Sequence, residues 1–172
     1  MVLRASLVRS DEPLPADHEF PLAIGARRRR ATWPSIDAAY DSYAARAPLG
    51  ALDPEALRVY VEGGLRPRAD GSWELKCAPE TEAATYANTV AHGLWSRLGD
   101  ITARVHVVCG EMTDAIVPRF AERIAARIPR DSLEVMANVG HFGPLEDPDA
   151  GVASMLAFDD ETRPDGPGRI GT

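Results

Sequence analysis

Asn138-Val139-Gly140-His141-Phe142-Gly143-Pro144-Leu145-Glu146-Asp147-Pro148 decides how this chain reads. A short apolar run, Leu133-Glu134-Val135-Met136-Ala137, leads into it, and Asp147 followed by Pro148 leads out with the signature of a helix start. Gly140 and Gly143 flank a histidine where a strand is expected to end. In open α/β sheets, ligands bind beyond the carboxyl ends of the strands. A histidine side chain titrates near neutrality and can pass protons there.

Working back toward the N-terminus, Pro118 to Ile128 has Phe120, Ile124 and Ile128 on one helical face. Before it, Arg104 to Cys109 reads as a buried strand, with Val105, Val107 and Val108 β-branched and Gly110 as the break. Pro129-Arg130-Asp131 is expected to turn the chain into the strand Leu133 to Ala137. Strand, helix, strand implies a right-handed crossover and parallel pairing. Two strand ends then face the same way, one carrying Gly110-Glu111-Met112-Thr113-Asp114 and the other Gly140-His141. Neighbouring parallel strands lie ~4.8 Å apart, so their exit loops can touch. An aspartate beside a histidine in such a place can fix the imidazole tautomer and stabilise its charged form.

These two motifs resemble the α/β-hydrolase family. The residues that carry the resemblance run from Val105 to Pro118 and from Gly140 to Pro148. In that family an acid follows the seventh strand and the catalytic histidine the eighth. The resemblance therefore implies Asp114 as the triad acid, with Glu111 as the weaker candidate, and His141 as general base. The fold expected is a partial α/β-hydrolase fold, with about three parallel strands, flanking helices and a helical cap. Residues 1–15 and 79–158 would form the C-terminal part of the core, 16–78 the cap, and 159–172 a disordered tail rich in Gly, Pro and charge. Val2 to Val8 resembles the sixth strand.

Within the expected cap, Arg27 to Arg46 reads as helical, with Ser35 able to cap the apolar series Ile36, Ala39, Tyr40, Tyr43. Asp53-Pro54-Glu55 starts a second helix, which Gly63-Gly64 should end. Arg66 to Gly71 is turn-rich, and Ser72 to Cys77 alternates like a short strand. Pro79 to about Leu98 reads as a long helix that Gly93 can interrupt, and Asp149 to Phe158 as the last one.

The family's order is nucleophile, acid, histidine. No G-x-S-x-G occurs in this chain, nor an aspartate or cysteine version of that elbow. Ser10, Cys77 and Cys109 do not sit on Gly-flanked sharp turns beside a base. The expectation is therefore a truncated hydrolase that holds the acid and the base but lacks the nucleophile, acting on a small ester, epoxide or related substrate. The alternatives are a non-catalytic binding module, whose pocket Trp33, Tyr40, Tyr43, Tyr60, Trp73 and Trp95 could line although core packing is the expected role of most of them, or a subunit that needs a complementing chain. An uncovered sheet edge invites such a chain or self-association.

Composition narrows the partners. The 172 residues carry 26 acidic and 19 basic side chains, a net charge of -7, which disfavours nucleic-acid binding. The run Arg27 to Arg30 has no second basic cluster to support it. No apolar stretch approaches the ~20 residues of a membrane span, and no leader is evident, since Arg4 and Arg9 break the first apolar run. Cys77 and Cys109, both inside apolar segments, read as reduced, buried thiols of a cytoplasmic protein. No cofactor is expected. His106 and Cys109 would point to opposite faces of a strand, and His18 and His92 have no ligand-like neighbours, so no metal is expected either.

Overall fold

The computed structural model describes residues 21–87 and 93–162. Fourteen elements follow one another: α1 (Pro21–Arg27), β1 (Thr32–Trp33), α2 (Ile36–Ala44), a 3-10 turn (Leu49–Ala51), α3 (Pro54–Gly64), β2 (Leu65–Pro67), β3 (Trp73–Leu75), α4 (Pro79–Ala87), a second 3-10 turn (Trp95–Asp100), β4 (Val105–Gly110), α5 (Pro118–Ala125), β5 (Asp131–Met136), α6 (Gly143–Glu146) and α7 (Pro148–Thr162). The expected strand Val2 to Val8 lies outside the described residues, as do Ser10, His18, His92 and the tail beyond Thr162.

β4 and β5 pair in parallel, from Val105 opposite Asp131 to Gly110 opposite Met136. Asp131, expected in a turn, is the first residue of β5. α5 forms the crossover and packs on both strands. Pro118 sits in its first turn, where a missing N–H costs nothing. Its buried side chains are Phe120, Ala121 and Ala125, and Ile128 is buried just beyond its end. α7 covers β4 and β5 through a polar cluster. His106 Nδ1 meets Ser132 Oγ at 2.8 Å, and His106 Nε2 meets Glu134 Oε2 at 3.1 Å. The Ser154 hydroxyl donates to Glu134 at 2.6 Å, and the His106 ring stacks on Phe158 at 5.0 Å.

Within residues 21–78, the described part of the expected cap, the helices are accompanied by a small sheet, and the strand expected at Ser72 to Cys77 forms as β3. β1, β3 and β2 form a small antiparallel sheet in that order. The long helix read over Arg27 to Arg46 is broken. Trp33 precedes Pro34, which disfavours helical backbone at residue 33, and Trp33 pairs with Trp73 in the sheet instead. Helix α2 then starts where Ser35 accepts a hydrogen bond from the Ala38 amide at 3.1 Å. In α3, Asp53 accepts from the amides of Glu55 and Ala56, and Pro54 follows it. Gly63 and Gly64 lie inside α3, and β2 begins directly at Leu65.

Trp33, Ala39, Leu52, Leu57, Val61 and Leu65 form the larger buried cluster. A smaller one, Ala23, Ala26 and Ala83, lets α1 and α4 approach closely, and Arg29 ties the pair with a 2.6 Å bond to Glu82. The long helix expected from Pro79 is described as far as Ala87. Gly93 has φ +63°, which a helix interior does not accept, and the chain resumes as a 3-10 turn. The last helix starts at Pro148 and runs on to Thr162, four residues past the expected end at Phe158.

Candidate active site

The site lies beyond the C-terminal ends of β4 and β5. Gly110 closes β4 and Met136 closes β5, and the loops that leave them are stitched together. The Glu111 amide donates to the Met136 carbonyl at 2.8 Å, and the Met112 amide to the Val139 carbonyl at 2.9 Å. The approach is so tight that a Cβ on Gly110 would stand 2.0 Å from the Gly140 carbonyl oxygen. Glycine at 110 is what allows Asp114 and His141 to share one place.

They share it in a groove of about 530 Å³ that both residues line, together with Met112, Asn138, Glu146 and, from across the gap, Pro48. Asp114 and His141 are both exposed there, and among the described residues no hydrogen bond joins them. Thr113, beside Asp114, is buried, and its hydroxyl accepts from the Ala115 amide at 3.3 Å. Glu111, the second acid candidate, is occupied elsewhere. Its carboxylate accepts the Asn138 amide at 3.1 Å. Asn138 has φ +59°, the left-handed conformation that asparagine tolerates better than most residues.

His141 sits on a turn held from both sides. The Gly140 amide donates to Glu146 Oε2 at 2.6 Å, and the Phe142 amide to Glu146 Oε1 at 3.0 Å. The Phe142 side chain packs against the Trp33 cluster, and its ring lies 5.0 Å from that of His141. Glu146 was not singled out from the sequence. Its one local signal is a carboxylate four residues after Phe142, at the end of a single helical turn.

The other sequence candidates fall elsewhere. Cys109 is buried, and burial, then Glu122, pushes its thiol pKa up, which opposes thiolate formation. Cys77, expected to be buried, is instead exposed, because it follows the end of β3 at Leu75, and it lines a separate cavity of about 240 Å³ with Arg29, Tyr43, Tyr60 and Glu82. Of the aromatic set, Trp33, Tyr40, Tyr43 and Trp73 belong to the larger core, and Trp95 stacks on Phe120 at 6.0 Å. Among the described residues no three His, Cys, Asp or Glu side chains are grouped to hold a metal ion, and no helix is long and apolar enough to cross a membrane.

Residues 3–155 match the alpha/beta hydrolase family, and the chain belongs to that family. No curated protein sequence matches it. Solved structures share the fold at low identity. E-2-(acetamidomethylene)succinate hydrolase is 21% identical with a TM-score of 0.67, over 81% of this chain and 50% of that one. The peroxisomal alpha-beta-hydrolase of Saccharomyces cerevisiae is 13% identical with a TM-score of 0.71, over 94% of this chain and 44% of that one. An esterase of Mycobacterium tuberculosis is 18% identical with a TM-score of 0.57, over 80% and 45%. The chain thus spans half or less of the length of these structures.

Proposed function

We propose that this chain carries the acid and base of an α/β-hydrolase that cleaves a small ester, epoxide or related substrate. His141 takes a proton from a nucleophile or water, and Asp114 orients and stabilises the imidazolium that results. The observation that carries this reading is the groove at the exits of β4 and β5, which both side chains line. A base at such a site must stand within hydrogen-bond reach of the group it activates. The chain contains no G-x-S-x-G and spans about half of its structural neighbours, so in this reading the nucleophile lies on polypeptide outside these 172 residues. Residues 16–78 act as the cap in this reading, with Pro48 on the groove's far wall.

The test uses protein isolated from its source cells with whatever polypeptide accompanies this chain. Turnover of p-nitrophenyl acetate and of styrene oxide is measured for the wild type, His141→Ala and Asp114→Asn. Each substitution lowers kcat by roughly a thousandfold or more, as loss of a triad member does elsewhere. Full turnover by His141→Ala ends the proposal. The intact mass on the same sample reports whether the chain circulates alone or as part of a longer one.

A second reading, a subunit completed by another polypeptide, is favoured by exposed apolar side chains on the sheet and on α7. Val108, Leu133 and Val135 on the sheet and Val152, Met155 and Leu156 on α7 are all exposed. Val108 pairs with Glu134 and lies on the face that carries α7, while Leu133 and Val135 lie on the opposite face, so apolar side chains stay open on both sides of the strand pair, where a partner can cover them. Co-purification of a second chain that bears an elbow motif supports it, and a monomer with full turnover excludes it.

A further inference from the structure

We propose that Glu146 is the positioning residue of the His141 turn, its carboxylate gripping the backbone amides on either side of the histidine. The role assigned rests on His141 being the base, but the grip itself stands on geometry alone. One carboxylate oxygen takes the Gly140 amide at 2.6 Å and the other takes the Phe142 amide at 3.0 Å. Neither donor belongs to β5 or to a helix interior, so neither has a partner in regular secondary structure. Hydrogen bonds to a carboxylate are the shorter and stronger kind.

Gly140 fits this role. A Cβ there would lie 3.0 Å from Oε1 and 3.2 Å from Oε2, so a side chain at 140 would press on the carboxylate. Glu146 is itself anchored from behind. Its own amide donates to the Phe142 carbonyl at 3.1 Å, and the neighbouring Leu145 carbonyl accepts the Asp53 amide at 2.9 Å. Asp53 caps α3, so the grip is braced against the 21–87 segment. With residues 140 and 142 both pinned, the backbone of His141 has little room to move, and the imidazole is presented to the groove at a fixed origin. Side chains that hold catalytic groups in this way contribute through geometry.

The experiment has three arms. In the wild-type chain, the Gly140 and Phe142 amides are protected from hydrogen exchange, and the Gly140 proton resonates far downfield of ordinary glycine amides. Exchange at open-loop rates would overturn the proposal without any variant. In Glu146→Gln, one oxygen is replaced by a donor. Exchange at Gly140 or Phe142 then rises roughly tenfold, the factor carried by one lost charge-assisted hydrogen bond. The His141 ring resonances shift while those of His106 stay in place, and unchanged protection or unchanged His141 resonances refute the grip. In the source-isolated protein, Glu146→Gln lowers kcat by roughly tenfold or more with KM nearly unchanged, the pattern of a displaced catalytic group. An unchanged kcat, in protein where His141→Ala abolishes turnover, refutes the positioning role. If His141→Ala is itself harmless, the base reading falls and the positioning role with it, while the exchange data still decide the grip.

Discussion

Replacing Gly110 with alanine tests whether the two exit loops form one unit. The added methyl carbon would stand 2.0 Å from the Gly140 oxygen and 2.5 Å from the Val139 oxygen, against the 3.4–4 Å of an ordinary contact. The obstructing atoms are backbone, so no rotamer change relieves the clash. The 137–142 loop has to retreat by more than an ångström. Overpacking of this sort costs ~1–3 kcal/mol. The retreat also breaks or stretches the Glu111 to Met136 and Met112 to Val139 hydrogen bonds, worth ~1 kcal/mol each. The loss comes to about 3–5 kcal/mol, a large share of the ~5–15 kcal/mol that holds a domain together. In urea unfolding followed by tryptophan fluorescence, the midpoint falls by about 1–3 M. Gly63→Ala in α3 is the control: a Cβ there meets nothing within 4 Å, and alanine gains up to ~1 kcal/mol. A Gly110→Ala loss below ~1 kcal/mol would refute the account of the loops as a joined pair.

Two further outcomes follow from groups that differ in their withdrawal from solvent. Burial raises the Tyr43 phenol pKa above 10.0, against the lowering effect of the hydrogen bond from Arg29, and burial likewise raises Tyr86. The folded state therefore holds these protons more tightly than the unfolded one. That stabilisation is complete below the unfolded value near 10 and is lost as pH climbs through the higher folded values. Unfolding free energy should decline in strong alkali, and Tyr43→Phe should make the decline shallower; an identical slope counts against it. For the thiols, Ellman's reagent should modify exposed Cys77 at once and Cys109 only on unfolding, because Cys109 is 9% exposed and its thiol pKa is raised. Two equally fast equivalents would contradict the placement of Cys109.

The parts of the fold that were legible in sequence are those set by short-range chemistry. The β-branched run before Gly110, Pro118 at a helix start, and the Ser35 and Asp53 caps each carry a local signal, and each element formed close to where it was read. The small sheet of β1, β2 and β3 was only partly legible. Its strands are two or three residues long, too short for alternation to register, and they exist through pairing across distant sequence. Arg27 ends α1 and Arg28 to Arg30 lie outside any helix, because Pro34 and the pairing of Trp33 with Trp73 divide the stretch that reads as helical. At the site, the glycines and the histidine announced a turn at a strand end. The grip of Glu146 did not announce itself, because its partners are backbone amides, which every residue but proline possesses.

The seating of Phe142 in the Trp33 cluster bears on how this protein can be re-engineered. The residue next to the histidine in sequence belongs, by packing, to the 21–87 segment. A chimaera that exchanges that segment for a relative's must carry residue 142 along with it, or redesign the receiving core around the phenyl ring. Recombination breakpoints chosen from chain order alone would cut between a side chain and its own socket. The modular unit is therefore discontinuous, and its smallest fragment is one residue long.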